Sequence, residues 1–540
     1  MNELAKSKND VLELDVAVIG SGYGGLYALH KFRDVLGLDA QSFDDAGGVG
    51  GTWYWNRYPG CRVDTESTVY QYSFDRELMK TWKWSERYPR QPEVLAYLNF
   101  VADKHDLKRS INFNARIVKA EWDDGKSVWK LTTNTGKRVS ARFLIEGVGL
   151  LSSTNYPKFP GEERFKGQIY HAARWPHHGV NLKGKKVAVI GTGSTGIQVI
   201  TAIAPEVDTL YVLQRTPQYC VPLGTQHPIP EKMVKMIQED PDHFVRWNLD
   251  TGAVFGFKES TTPAMSVSAE ERKRVYQNAW DKGNGFAFML ETFSDIVVSK
   301  EANNTATEFV RNKIKEIVKD PKVAAALMPH DFYAKRPLAG DNFYETFNRP
   351  NVKLVDIKAD HIQEITERGI RTTAGEIELD IIIYATGFDA ITGNYLKIET
   401  VGRNGLRLQD KWSKGPVAFA GIAIAGFPNL FMIFGPFCPF TSQPLVHEWQ
   451  VNWFADLIAR AIAQGRKTIE IDAAAEEAWV EMCAAGDAMT LFPETPSWIN
   501  GTNVPGKPKA SMFYMGGMAN YMKEMGRLVD NGYKEFRLGT

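Results

Sequence analysis

One arrangement, a buried strand running through a glycine turn into a helix, occurs twice in this chain and constrains its fold more than anything else. The first copy is Leu14-Asp15-Val16-Ala17-Val18-Ile19 followed by Gly20-Ser21-Gly22-Tyr23-Gly24-Gly25, with Leu26, Leu29, His30, Phe32 and Arg33 at helical spacing beyond it. The second, 171 residues later, is Lys185-Lys186-Val187-Ala188-Val189-Ile190 followed by Gly191-Thr192-Gly193-Ser194-Thr195-Gly196. A continuous β-branched run reads as a parallel strand covered on both faces. Gly-x-Gly-x-x-Gly at its end is the dinucleotide fingerprint. The first glycine makes the turn, the second lets a pyrophosphate approach the backbone, and the third lets helix and strand pack, with the helix N-terminus facing the anion. A repeat this long fits two related nucleotide-binding domains and not a solenoid. The predicted class is α/β, with two Rossmann-like domains.

The copies differ where the nucleotide is read. Strand Ala40–Phe43 ends in Asp44, 24 residues after Gly20, an acid placed for ribose hydroxyls. The same offset from Gly191 gives Arg215, at the end of strand Thr209–Gln214. A guanidinium there suits a 2′-phosphate, so NADP(H) is expected over NAD(H), with Thr216 as a further donor. Gly191, Gly193, Ser194, Thr195, Gly196, Arg215 and Thr216 are therefore the candidate NADP(H) residues. A hydride from NADPH needs an acceptor, and FAD is the dinucleotide that takes one. Gly20, Gly22, Gly25 and Asp44 are the candidate FAD residues.

The 540 residues allow several domains, and 64 Lys+Arg against 64 Asp+Glu leave no net charge, which argues against a nucleic-acid partner. Cys61, Cys220, Cys438 and Cys483 are isolated in sequence, so neither a disulfide framework nor a zinc site is expected, and a cytoplasmic setting fits. Residues 1–10 hold no apolar core of a secretory signal. Residues 415–446 carry no Asp, Glu, Lys, Arg or His, but Gly421, Gly426, Pro428, Gly435, Pro436 and Pro439 would break a spanning helix. We read two buried strands there, Val417–Ala425 and Asn429–Phe434. Leu379–Tyr384 is another buried strand, running into Ala385-Thr386-Gly387. Residues 221–330 look mostly helical: Ser268-Ala269-Glu270-Glu271 has capping-box form, and Glu308–Asp320 has one apolar face. His177-His178 has no further ligands at useful spacing, and no Gly-x-Ser-x-Gly or Walker lysine motif occurs.

Between the two fingerprints lies Phe165-Lys166-Gly167-Gln168-Ile169-Tyr170-His171-Ala172-Ala173-Arg174-Trp175-Pro176. Its Phe165, Gly167, His171, Trp175 and Pro176 match F-x-G-x-x-x-H-x-x-x-W-P, the signature of the flavin-dependent Baeyer–Villiger monooxygenases. Gly50-Gly51-Thr52-Trp53-Tyr54-Trp55-Asn56-Arg57-Tyr58-Pro59-Gly60 and Ala334-Lys335-Arg336-Pro337 resemble the same family. From residue 15 nearly to the C-terminus the chain is similar to its cyclohexanone monooxygenase group.

The resemblance implies an NADPH- and O₂-dependent oxidation of cyclic ketones to esters or lactones through a flavin C4a-peroxide. It implies FAD binding by 1–150 and 386–540, NADP binding by 151–220 and 331–385, and a helical insertion at 221–330. Arg336 matches the active-site arginine, whose fixed charge would face the developing oxyanion. Asp64 matches the acid that orients it and, with Gly51, Thr52 and Trp53, falls on the cofactor side. Lys335 matches a lysine near the NADP phosphate. For His171 the resemblance leaves two roles open, a structural coupling through a backbone bond and direct work in catalysis. Ser497–Lys507 matches a mobile loop closing over the nicotinamide, with Trp498 as its apolar plug. Leu150, Leu151, Phe286, Phe440, Gln443, Trp498 and Phe513 would line the substrate pocket. Gln443 stands at a leucine position of the group. It is expected to bond Ser442 or backbone, as buried polar groups usually do; the alternative is a second polar group on the substrate. Glu146 stands where the group has small neutral residues, and is expected to point away from the cofactor or to pair. The partners expected are the ketone and O₂, with no nucleic acid or membrane, and a monomer or weak homo-oligomer.

Three other classes stand against this reading. A flavin monooxygenase acting on amine nitrogen or sulfur would lack Trp175-Pro176. A thiol–disulfide flavoprotein needs a redox cysteine pair. A non-enzymatic NADP(H) sensor has no use for Asp64 and Arg336.

Overall fold

The computed structural model describes residues 11–540, so the reading of the N-terminal ten residues lies outside the described residues. β1 (Leu12–Ile19) buries Val16, Ala17 and Val18 completely. It pairs in parallel with β2 (Ala40–Phe43) on one side and β3 (Arg138–Glu146) on the other. Leu430–Met432 adds in parallel to the far end of β3, and Ile111–Asn112 extends the sheet beyond β2. Antiparallel strands Val128–Thr133 and Ile117–Asp123 continue it on the other side to Glu399–Val401. α1 (Tyr23–Leu29) follows the first glycine turn with every residue buried.

The second fingerprint builds a second sheet. β4 (Lys186–Ile190) lies between β5 (Thr209–Gln214) and β6 (Ile381–Tyr384), with Val352–Asp356 outside β5 and Gln168–His171 outside β6. All five strands are parallel. α2 (Ser194–Ile203) follows β4. Two sheets of this kind, each with a strand–glycine–helix unit, are the α/β class the sequence predicts.

From 221 to 330 helices dominate, among them Ala269–Lys282, whose N-cap Ser268 hydroxyl accepts from the Glu271 N–H at 3.2 Å. The helix predicted over Glu308–Asp320 runs over Lys300–Ile317. It starts earlier because the Ser299 hydroxyl caps it, and it buries Ala302, Ala306, Val310 and Ile314.

The apolar stretch departs from expectation. Ala418–Ala425 is buried, but Val417–Ala425 is not a strand. Ala420 (φ 54°) and Gly421 (φ 70°) reverse the chain, so that the Phe419 N–H donates to the Ala423 carbonyl. The following strand is only Leu430–Met432, because Asn429 and Phe434 on either side of it adopt positive φ. α3 (Gln443–Ala463) then crosses the first sheet, where Asn452 accepts from the Tyr27 hydroxyl of α1. Among the described residues no helix is long and apolar enough to cross a membrane.

Candidate active site

The two glycine turns are built alike. Gly20 and Gly191 have φ of 101° and 112°, and a Cβ there would strike the carbonyl oxygen of Gly147 or Ala385 at 2.4 and 2.5 Å. At Gly25 and Gly196 a Cβ would lie 1.9 and 2.1 Å from the carbonyl of the first glycine. These positions admit only glycine. The middle glycines differ: a Cβ at Gly193 would meet nothing within 4 Å, whereas one at Gly22 would lie 3.4 Å from the Gly51 Cα. Gly51 therefore belongs against the first turn, with Thr52–Trp55 as a short helix behind it and the Trp53 indole N–H donating to the Tyr70 hydroxyl.

Both turns open on one cavity of about 1240 Å³. Asp44, Thr52, Asp64, Arg215, Thr216, Lys335 and Arg336 line it. Asp44 is 9% exposed. Its carboxylate accepts from the Ser21 N–H and hydroxyl and from the Ala46 N–H, while burial raises its pKa. Lys335 is paired with Asp331 at 2.7 Å.

Arg336 and Asp64 meet in a two-pronged ion pair, Nη1 to Oδ2 and Nη2 to Oδ1, both 2.7 Å. Nη1 also donates to the Ser194 hydroxyl at 3.2 Å and to the Pro337 carbonyl at 3.3 Å. The guanidinium lies 5.2 Å over the Phe286 ring. Burial opposes its charge, but Asp64 outweighs that and raises the Arg336 pKa, so the cation is permanent. Ser194 opens α2 within the second fingerprint, so one side chain ties Asp64 to the start of α2.

Residues 13–254 match the family described as flavin-binding monooxygenase-like. A Baeyer–Villiger monooxygenase of Pseudooceanicola batsensis is 49% identical over 96% of this chain and 95% of its own. The chain belongs to the Baeyer–Villiger monooxygenases. A crystal structure of cyclohexanone monooxygenase from Rhodococcus sp. Phi1 bound to NADP⁺ matches with a TM-score of 0.96 at 46% identity, covering 98% of this chain and all of that one. A phenazine N-monooxygenase of Lysobacter antibioticus is 45% identical over 98% of each chain.

In this Baeyer–Villiger chain none of Phe165, Gly167, His171, Trp175 and Pro176 lines the cavity. His171 closes a strand paired with β6 and is 7% exposed. Its Nδ1 accepts from the Ala173 N–H, and burial lowers its pKa to about 4. The ring proton of the neutral imidazole is therefore on Nε2, 3.4 Å from the Thr386 hydroxyl. That hydroxyl donates to the Asn155 carbonyl at 2.6 Å. Trp175 packs on Tyr170. Gly167 lies against the Asp380 carbonyl, where a Cβ would come within 2.3 Å, and Phe165 packs in the core of the second sheet.

Leu150, Leu151, Phe286, Phe440, Gln443, Trp498 and Phe513 all line the cavity. Phe440 lies edge-on to Phe513 at 5.2 Å, and Trp498 is edge-on to Phe513 at 6.1 Å. The 497–507 segment is bound to the crossover after β6. Asn503 donates to the Phe388 carbonyl, and Lys507 to Asp389 and the Ala390 carbonyl.

Glu146 points away from the cavity, as expected, but it does not pair. It is fully buried, neither oxygen has a partner, and burial pushes its pKa up to about 8. The bond expected between Gln443 and Ser442 or backbone is not formed: the Ser442 hydroxyl is partnerless, and no described residue bonds the Gln443 amide. His447, one helical turn beyond Gln443, lines the cavity beside Gly24 with Nδ1 unpartnered, and burial lowers its pKa to about 3. No motif points to His447, which stands beside Glu448 after the apolar residues Pro444, Leu445 and Val446. Two glycine turns without room for a Cβ, opening on one cavity, fit bound dinucleotides.

Proposed function

We propose that the protein is an FAD-containing, NADPH- and O₂-dependent monooxygenase that converts cyclic ketones to lactones or esters. The observation that carries this is the Arg336–Asp64 pair on the wall of a cavity lined by both glycine turns. FAD belongs to the turn at Gly20, Gly22 and Gly25, with Gly51, Thr52 and Trp53 against it and Asp44 at the ribose. NADP(H) belongs to Gly191, Gly193, Ser194, Thr195 and Gly196, with Arg215, Thr216 and Lys335 for the 2′-phosphate. The chain divides accordingly into FAD-binding segments 1–150 and 386–540, NADP-binding segments 151–220 and 331–385, and the insertion 221–330.

The bound cofactors supply the hydride and the activated oxygen. The protein's own residues do the rest. Arg336 holds a fixed positive charge where the carbonyl oxygen becomes an oxyanion, and a preorganised cation of this kind needs no rearrangement as charge develops. Asp64 holds the guanidinium in place at two points. The rings of Phe286, Phe440, Phe513 and Trp498 remove hydrocarbon from water and exclude solvent from the reacting atoms. His171, held neutral and hydrogen-bonded at both ring nitrogens, positions the Thr386 turn.

The phenazine N-monooxygenase likeness favours a second reading, oxygen transfer to a ring nitrogen. A nitrogen attacks as a nucleophile and develops no oxyanion, so it makes no demand on Arg336. The test offers the yellow holoenzyme cyclohexanone and phenazine in turn, with NADPH consumption and product followed together. Ketone-stimulated NADPH use with lactone formed in step supports the proposal. Stimulation by phenazine alone, with an N-oxide as product, overturns it.

A further inference from the structure

Behind the Arg336–Asp64 pair lies a second ion pair, away from the cavity. Arg87 and Glu66 have side chains 5% and 8% exposed, and neither residue lines the cavity. The Arg87 Nε–H donates to Glu66 Oε1 at 3.1 Å, and an Nη2–H donates to the same oxygen. The pair closes the loop that carries Asp64. The Val63 N–H donates to the Pro89 carbonyl at 3.0 Å and the Ser67 N–H to the Arg87 carbonyl at 2.8 Å, so Asp64 lies between two bonds to the same neighbouring segment. Arg87 also reaches out of that loop. Its Nη1 donates at 3.5 Å to the carbonyl of Lys282, the last residue of the helix Ala269–Lys282. Asn284, two residues on, caps the helix Gly285–Leu290 by accepting from the Phe286 and Ala287 N–H groups at 3.0 and 3.2 Å. Arg87 therefore joins the loop of Asp64 to the segment that carries Phe286, and those two side chains flank the Arg336 guanidinium.

Two buried charges are weak support for stability. Their desolvation offsets much of their attraction, and a well-packed apolar pair of similar volume commonly serves the fold as well. What an ion pair supplies and an apolar pair does not is direction. The guanidinium donors fix where the carboxylate lies, and with it the course of the backbone two residues from Asp64. A reacting group is held in productive geometry by the hydrogen-bonded residues behind it, and Arg87 and Glu66 stand in that place.

We propose that Arg87 and Glu66 are positioning residues for the ketone oxidation: they hold the Asp64 carboxylate, and through it the Arg336 guanidinium, in the orientation that the developing oxyanion needs. The inference rests on the ketone reading above. A residue that acts only through Asp64 loses its effect on the rate once Asp64 is gone, and a double-mutant cycle reads that directly.

The experiment replaces both charges at once, Glu66→Leu/Arg87→Met, so that no lone buried charge is left to unfold the chain. Melting temperature and the visible flavin spectrum of the holoenzyme check the fold. With cyclohexanone and saturating NADPH, kcat for lactone formation is expected to fall about fivefold with KM for NADPH unchanged, because a residue acting through Asp64 cannot cost more than the loss of Asp64 itself, about tenfold. In the Asp64→Ala background the same double change is expected to alter kcat by less than about twofold. Arg87→Lys keeps the charge but lacks the fork that spans Glu66 and the Lys282 carbonyl; it disturbs the fold least and should lower kcat about twofold. Wild-type kcat in both variants, an equal fall with and without Asp64, or a rise in KM for NADPH matching the fall in kcat would overturn the positioning role. Should wild type oxidise no ketone, the proposed function fails instead. The reaction of Arg336 with phenylglyoxal in the holoenzyme, followed by mass spectrometry, then decides the positioning separately. Labelling several times faster than in wild type is expected in Glu66→Leu/Arg87→Met, as in Asp64→Ala, and labelling equal to wild type would reject it.

Discussion

Replacing Arg336 by alanine removes a cation that the structure fixes on the cavity wall. Two 2.7 Å bonds to Asp64 and a third contact to Ser194 hold it, and its side chain is only 21% exposed. Its charge is therefore oriented before the substrate arrives. Loss of one preorganised donor at a developing oxyanion commonly lowers kcat by about a hundredfold to a thousandfold, about 2.7–4 kcal/mol. We expect Arg336→Ala to fall in that range for lactone formation. Asp64→Ala is expected to be milder, about tenfold, because the guanidinium keeps Ser194, the Pro337 carbonyl and the Phe286 face. The assay follows lactone by gas chromatography at saturating NADPH, with FAD content read from visible absorbance, since both variants should still bind flavin. Lactone at the wild-type rate from Arg336→Ala would refute the role. An Asp64 variant more damaged than the arginine variant would show that the carboxylate acts on its own account.

Arg215→Ala should raise KM for NADPH tenfold or more, from the loss of a charge-assisted contact of about 1.5–3 kcal/mol, with less effect on NADH; equal effects on the two nucleotides count against a 2′-phosphate contact. Trp498→Ala opens the wall beside Phe513, so NADPH consumption should outrun lactone formation and H₂O₂ should accumulate; unchanged coupling removes the plug role. Glu146, raised by burial from 4.5 to about 8, binds more protons folded than unfolded across that interval, so its contribution to stability falls as pH rises, by about 1.4 kcal/mol per unit. Glu146→Gln should therefore melt higher than wild type near the top of the interval and lose that advantage toward its bottom; an advantage independent of pH would contradict the buried-acid account.

What was legible in the sequence was what short range decides. β1 and β4 declared themselves by continuous β-branched runs, and the glycine spacing fixed the turns, because a Cβ at Gly25 or Gly196 has no room within its own turn. Asp44 and Arg215 follow at fixed offsets, since each ends the next strand of its own unit. Val417–Ala425 departs from the strand reading because an apolar run reports burial and not conformation: Ala418–Ala425 is buried, but positive φ at Ala420 and Gly421 folds it back. The bond expected for Gln443 fails because the residue is only partly buried, so the rule that buried polar groups find protein partners does not bind it.

The Arg336–Asp64 bond joins positions 272 apart, and no spacing rule reaches that far; only family likeness pointed to it. Nor did the sequence join Ser194 to that pair, since its place in the fingerprint suggested a phosphate contact alone. Yet the Ser194 hydroxyl that accepts from Arg336 sits at the first residue of α2, where a nucleotide phosphate would lie against the helix N-terminus. The loop before Asp64 docks on the same helix: Gln198 bonds the Tyr58 hydroxyl and the Arg62 carbonyl, and Gly60 leaves no room for a Cβ against the Gln198 carbonyl. The cation, the carboxylate that aims it and the second nucleotide turn are thus one mechanical unit. A displacement of the first turns of α2 would move the groups that hold the guanidinium, Ser194 directly and the Asp64 loop through Gln198.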